Sequence, residues 1–298
     1  MARAAAARFG RCAIGANRSK PFAQTFVPSH CKAPLLTAEG FLRVFAGRTL
    51  VFVGDSITLQ QYTALLCTLL PPADGGDDGT VPSMPAWWRA EITVAEVRKQ
   101  RACVPFAREV VLCLVTASKW SQRATGPLLN DTARSLRHAL SPSDVIVVNV
   151  GVHHPFAKLA ARSVQEFMAE LQPQHEASVN DARGMTPGAL PPRVVVRETS
   201  PQHFADGIWR QGASGCQASR PAIEWPYKNR YNNHLGPVAA EARAAMLRIW
   251  SSSEPFHEEH ASDSDCTHWK PAGVIDHWNS LLYAMLAHEP SLLRPFGE

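Results

Sequence analysis

The chain has 298 residues, 45% of them hydrophobic and 19% charged, which fits one large α/β domain and excludes a disordered chain. No apolar run approaches the roughly 18 residues of a membrane span, so no transmembrane segment is expected. The net charge of +4 sits mostly in an arm: Arg3, Arg8, Arg11, Arg18, Lys20 and Lys32 all precede the first acidic residue, Glu39. Beyond it the charge is close to balanced, which gives no support for a nucleic-acid partner. Residues 1–30 read as a targeting arm of the organelle-transit type, a disordered tail, or the cut edge of a longer chain. Residues 31–298 read as a single domain.

In chain order, Glu39 to Phe45 is a short helix candidate. Leu50 to Val53 is a buried strand that stops at Gly54-Asp55-Ser56, and a helix follows with Ile57, Leu65, Leu66 and Leu69 near one face. Residues 71–79 form a loop. Ile92–Val97 and Val110–Val115 are expected strands, arranged as a hairpin around Pro105 with Cys103 and Cys113 near its arms and able to pair. Asn130–Leu140 is helical and Pro142 ends it. Val145–Val148 is a second buried strand that runs into Asn149-Val150-Gly151. Ala157–Leu171 is an amphipathic helix with Leu159, Val164, Phe167, Met168 and Leu171 as its core stripe. Arg193–Arg197 is a third apolar strand, and residues 205–235 look irregular. Pro237–Trp250 reads as a helix, Asp263–Lys270 as a polar loop and Gly273–Ala287 as the closing helix.

Apolar strands that alternate with helices and end in polar turns predict a three-layer α/β/α sandwich with a mostly parallel central sheet. Ligands in such folds bind beyond the carboxyl ends of the strands. That rule sets Ser56, Asn149 and the Ser200 turn on one rim.

Two readings of Ser56 stand at this point. It caps the helix, as serine often does, or it is a nucleophile beside helix N–H groups that favour a developing negative charge. A nucleophilic serine needs a base, and the base needs an orienting group. Asp265-Cys266-Thr267-His268 is the only D-x-x-H in the chain, and its spacing lets Asp265 hold the His268 ring within one loop. Asn149, one step past a buried strand, is either a turn residue or a second oxyanion donor beside the Ser56 N–H. No C-x-x-C pair exists, which argues against a structural zinc site.

G-D-S after the first strand, N-x-G after a middle strand and D-x-x-H near the end occur in the order of the SGNH/GDSL hydrolase superfamily. More closely, the chain resembles the trichome birefringence-like family, also called PC-esterases. The stretches that carry the likeness are Cys31 with FLRVFAGRTLVFVGDS, DVIVVNVG at 144–151, RETSPQHFADGIW at 197–209 and DCTHWKPAGVIDHWNSLLY at 265–283. The resemblance implies an SGNH-like fold and polysaccharide O-acetyltransferase chemistry of the plant secretory pathway, or a related esterase activity. It implies Ser56 as nucleophile, His268 as base and Asp265 as orienter, with Ser56 N–H and Asn149 as oxyanion donors. Gly54, Asp55, Gly151, Arg197, Ser200, His203 and Trp269 are its further site-lining candidates.

The family cysteines at Cys216 and Cys266 imply a disulfide, and with it an oxidising, Golgi-type compartment. No metal and no bound cofactor are implied. An acetyl donor serves as co-substrate, and the partner is a glycan or polysaccharide acceptor. Three departures bear on the acceptor and the compartment: Leu59-Gln60-Gln61 after the G-D-S, Val152-His153-His154 after Gly151, and Lys270 in place of a cysteine. Trp87, Trp88, Trp209 and Trp269 either stack on sugar rings or fill the core. Acyl transfer to a sugar, hydrolysis with water as acceptor, and a non-catalytic glycan-binding module are the three functions weighed.

Overall fold

The computed structural model describes residues 36–69, 101–116, 125–152, 156–172, 191–209, 212–220, 229–270 and 273–288. The arm at 1–30, the strand expected at Ile92–Val97, and Trp87 and Trp88 lie outside them.

The centre is a six-stranded sheet. Its strands are β1 (Thr49–Gly54), β2 (Arg101–Pro105), β3 (Val111–Thr116), β4 (Val145–Asn149), β5 (Arg193–Arg197) and β6 (Ala245–Leu247), in the spatial order β2-β3-β1-β4-β5-β6. All neighbours are parallel except β2, which runs antiparallel to β3. The helices are α1 (Ala38–Val44), α2 (Ser56–Leu69), α3 (Thr125–Ala139), α4 (Ala157–Leu171), α5 (Asn232–Glu241), α6 (Trp250–Ser253) and α7 (Val274–His288).

Successive residues of β1 point to opposite faces, as a strand requires. Leu50 and Phe52 pack with Phe41 of α1, Leu65 of α2 and Trp278 of α7. Val51 and Val53 pack with Ala133 of α3, Val164 and Phe167 of α4 and Leu235 of α5. These are the two outer layers of the expected sandwich. β1 lies between β3 and β4 and is buried on both faces, which explains its unbroken apolar run.

Cys103 and Cys113 sit directly opposite each other in the β2–β3 pair and are joined by a disulfide, with Cα atoms 4.0 Å apart. The first arm of that hairpin is therefore Arg101–Pro105.

Three sequence expectations change. Pro237–Trp250 is not one helix. α5 begins earlier, at Asn232, and ends at Glu241 with Ala242 as its C-cap; Arg243 then takes a positive φ of 52° and the chain returns as β6 on the sheet edge. Ala242, Ala245 and Ile249 suit a helical stripe, but pairing with β5 decides the conformation. Asp263–Lys270 is not plain loop either. β8 (Asp265–Trp269) pairs antiparallel with β7 (His260–Ser262) in a small second sheet. Leu159 is 45% exposed and lies off the core stripe of α4, whose buried face is Ala160, Val164, Phe167, Met168 and Leu171.

Candidate active site

β1 ends at Gly54 and the chain enters α2 within two residues. A Cβ at Gly54 would overlap Thr58 Oγ1 and the Asn149 carbonyl, so only glycine lets strand and helix meet this closely. Asp55 caps the helix. Its Oδ1 accepts from the N–H of Ile57 at 3.0 Å and from that of Thr58 at 3.4 Å. The capping role weighed for Ser56 thus falls to its neighbour, and Ser56 begins the first turn.

Ser56 Oγ lies 2.7 Å from His268 Nε2, and His268 Nδ1 lies 2.8 Å and 3.1 Å from the two Asp265 oxygens. β8 makes this possible: it carries Asp265 and His268 along one short strand, pressed against α2. Burial works against ionisation of Asp265. The His268 backbone N–H, the His268 charge and ring N–H, and the Thr267 N–H outweigh it and hold the carboxyl below the usual range. An ionised carboxylate only accepts, so Nδ1 carries the ring hydrogen and Nε2 is left to accept from the Ser56 hydroxyl. The row Asp265, His268, Ser56 is therefore polarised toward Oγ.

The remaining candidates divide. Asn149 is on the rim, but both of its amide hydrogens are engaged. Nδ2 donates to the Arg197 carbonyl at 2.8 Å and to Thr199 Oγ1 at 3.0 Å, while Oδ1 accepts from the Gly151 N–H at 3.2 Å. This geometry makes Asn149 a tie between the β4 and β5 turns rather than the expected oxyanion donor. Gly151 is needed for that tie, since a Cβ there would overlap the Thr199 side chain. Ser200 is buried beside this turn.

Arg197 lies under α2 and is buried. It donates to Gln61 Oε1 at 3.0 Å and to Thr58 Oγ1 at 3.2 Å, and its guanidinium sits 5.4 Å from the centre of the Trp278 ring. Burial pushes its pKa down to about 10, against the favourable charge of Asp55.

Trp269 is a core residue, 1% exposed, packed on His260 and Trp278. The sugar-stacking alternative fails for it, whereas Trp209 is 59% exposed. His203 Nδ1 lies 2.6 Å from Nε2 of His260. Cys216 and Cys266 are joined by a disulfide that ties the 212–220 segment to β8.

Sequence reasoning missed several residues that hold this site. Gln60 bridges α2 to β8, with Oε1 accepting from the Trp269 N–H at 3.2 Å and Nε2 donating to its carbonyl at 3.0 Å. Asn232 clamps both backbone groups of Thr199. His260 donates to the His268 carbonyl at 2.9 Å. Gln60 stood in the sequence only as a departure from a motif, and His260 as one of twelve histidines. Among the described residues no cluster of histidine, cysteine, aspartate or glutamate is arranged to hold a metal, and no helix is long and apolar enough to cross a membrane.

Residues 33–246 match the PC-Esterase model, described as the GDSL/SGNH-like acyl-esterase family found in Pmr5 and Cas1p. "Protein trichome birefringence-like 6" of Arabidopsis thaliana is 24% identical over 300 residues, covering 88% of this chain and 61% of its own length. "Probable xylan O-acetyltransferase 11" of Oryza sativa subsp. japonica is 25% identical over 302 residues, covering 86% of this chain and 74% of its own length. Among solved structures, the acetylxylan esterase Axe2 of Geobacillus stearothermophilus aligns with a TM-score of 0.43 at 10% identity, over 81% of this chain and 95% of that one. At that TM-score the likeness bears on neither substrate nor reaction.

Proposed function

The chain belongs to the GDSL/SGNH-like acyl-esterase family, and from that premise we propose that it transfers an acetyl group to a carbohydrate hydroxyl through an acetyl-Ser56 intermediate. The observation that carries this reading is the continuous row from Asp265 through His268 to Ser56 Oγ. His268 Nε2 takes the hydroxyl proton as Oγ attacks the acetyl carbonyl. The tetrahedral oxyanion forms beside the Ser56 N–H in the first turn of α2, where the helix dipole favours negative charge. Collapse breaks the bond to the donor's leaving group, which receives the proton from His268. An acceptor hydroxyl then gives its proton to His268 while its oxygen attacks the acyl carbonyl, and Ser56 leaves with its proton restored.

The name of the rice relative, a probable xylan O-acetyltransferase, supports a polysaccharide such as xylan as the acceptor class. Hydrolysis is the second reading. His268 keeps 29% of its side chain exposed, so water can reach the base and replace the sugar hydroxyl. The disulfides Cys103–Cys113 and Cys216–Cys266 support a secretory, oxidising route.

Intact mass after mixing with nitrophenyl acetate tests the common step. The expected result is an acetyl adduct on Ser56 that is absent from Ser56→Ala. Turnover by Ser56→Ala at the wild-type rate overturns both readings. Movement of the acetyl group to a xylo-oligosaccharide then separates transfer from hydrolysis.

A further inference from the structure

His268 is held at its backbone as well as at its ring, and the backbone hold leads into a second histidine pair. His260, on β7 opposite Trp269, places Nδ1 2.9 Å from the His268 carbonyl and stacks on Trp269 with ring centres 4.1 Å apart. Its Nε2 lies 2.6 Å from Nδ1 of His203, whose Nε2 lies 2.9 Å from the Glu254 carbonyl. Both rings are buried, His203 at 0% and His260 at 2% exposure. The result is a chain of three hydrogen-bond contacts from one backbone carbonyl to another, through two imidazoles.

The hydrogens in that chain can be counted. A carbonyl oxygen only accepts, so His260 Nδ1 and His203 Nε2 must each carry a hydrogen. Two neutral imidazoles supply two ring hydrogens, and both are then spent at the outer ends. The inner contact at 2.6 Å is left with a lone pair on each side. One additional proton turns it into an N–H···N bond and completes the chain.

Burial opposes this charge and pushes both rings well below the ordinary histidine value. Of the groups facing the pair, Glu254 and Asp265 favour the proton, while His257 and His268 oppose it.

We propose that His203 and His260 are positioning residues for His268, acting as a clasp that closes on one shared proton. With the proton present, all three contacts hold and the strand carrying the base is fixed to the Glu254 end of the fold. Without it, one of the three contacts is lost: the inner pair separates, His260 releases the His268 carbonyl, or His203 releases the Glu254 carbonyl. The clasp rests on the reading of His268 as the base, and it makes the placement of that base sensitive to pH. The disulfide from Cys266 and the Gln60 bridge to Trp269 act on the same strand but carry no proton.

The first test uses the full chain labelled with 15N histidine. As pH is lowered through the range in which the chain stays folded, a downfield ring proton is expected that is scalar-coupled to nitrogens of two different histidines. It should vanish in His203→Gln. Its absence at every such pH overturns the clasp.

The second test measures acylation by nitrophenyl acetate in three variants. His260→Ala should lose about tenfold in kcat with little change in KM, because a displaced base affects chemistry and not ground-state binding. His260→Asn keeps an N–H at the place of Nδ1 and should recover most of that loss, whereas His260→Gln, which mimics Nε2 instead, should not. A folded His260→Ala that acylates at the wild-type rate overturns the clasp and leaves the acyl-enzyme reading standing. Wild-type protein that forms no acetyl-Ser56 overturns that reading and the positioning role with it, while the histidine coupling is still read without substrate.

Discussion

Gln60 grips Trp269 by both of its backbone groups, accepting from the N–H at 3.2 Å and donating to the carbonyl at 3.0 Å. The side chain of α2 thereby completes an amide pair with β8, one residue past His268. It fixes the distance between the helix that starts with Ser56 and the strand that carries His268. Gln60→Ala removes that fix but leaves Asp265, His268 and Ser56 intact. The expected outcome is a loss of about tenfold in kcat for ester cleavage with KM nearly unchanged, since small displacements of a base are costly. Gln60→Glu retains the acceptor and loses the donor, and should fall between the two. Steady-state kinetics on the three proteins decide it.

Asp55 and Ser56 divide two jobs that their sequence position leaves open, and substitution separates them. Asp55→Ala removes the acceptor for the Ile57 and Thr58 N–H groups and should lower stability by about 1 kcal/mol, the usual cost of a lost helix cap. Ser56→Ala removes no cap and should change stability by less than about 1 kcal/mol while abolishing the acetyl adduct. Urea unfolding followed by intact mass distinguishes the two effects. A Ser56→Ala protein destabilised as much as Asp55→Ala would return the cap to Ser56.

Arg197 is a buried cation beneath the first turns of α2, and its value lies in what it leaves behind. Arg197→Leu strands Gln61 Oε1 and Thr58 Oγ1 without donors and removes the positive charge that faces Asp55. The expected loss is about 3 kcal/mol, in the range for breaking a buried, hydrogen-bonded charge arrangement by removing one partner. Arg197→Lys should not restore it, because a single ammonium cannot reproduce two diverging donors. The midpoint of urea unfolding is the measurement, and a shift equivalent to less than about 1 kcal/mol would show that the cation is dispensable.

The sequence made some of this site legible and hid the rest for physical reasons. The Leu50–Val53 run with Gly54-Asp55-Ser56 is local: a fully buried central strand must be apolar throughout, and the turn residues follow at once. Asp265 and His268 are legible because three residues suffice for a carboxylate to reach its own ring. The tie that Asn149 makes is hidden in the sequence, since its partners Arg197 and Thr199 lie about fifty positions away and leave no trace in its spacing. The β6 segment suits a helix as well as a strand because alanines serve both periods, and the edge of β5 chooses between them. Trp269 carried two readings, sugar platform or core, and the decision lies with His260 and Trp278, which sequence does not bring near it.

The buried histidines also set how the fold responds to acid. When folded, His203 and His260 are pushed down to about 4 and about 3 from an ordinary value of 6.5, chiefly by burial, and His277 is lowered for the same reason. As pH falls below 6.5 the unfolded chain takes up protons that the folded chain refuses, so stability declines until the folded values are reached. Asp265 acts in a lower window. Its folded carboxyl lies below the usual 3.8, so its contribution is present above that value and is lost as pH falls through the folded one. Acid destabilisation should therefore begin with a histidine stage that runs from 6.5 down to about 3, joined below 3.8 by the carboxylate stage. Thermal melts from about pH 7 to about pH 4.5 should show the melting temperature falling throughout. His260→Asn, which replaces a buried titrating ring with an amide, should flatten that fall. A wild-type melting temperature that stays level across the window would mean that these rings accept protons in the folded chain as readily as in the unfolded one.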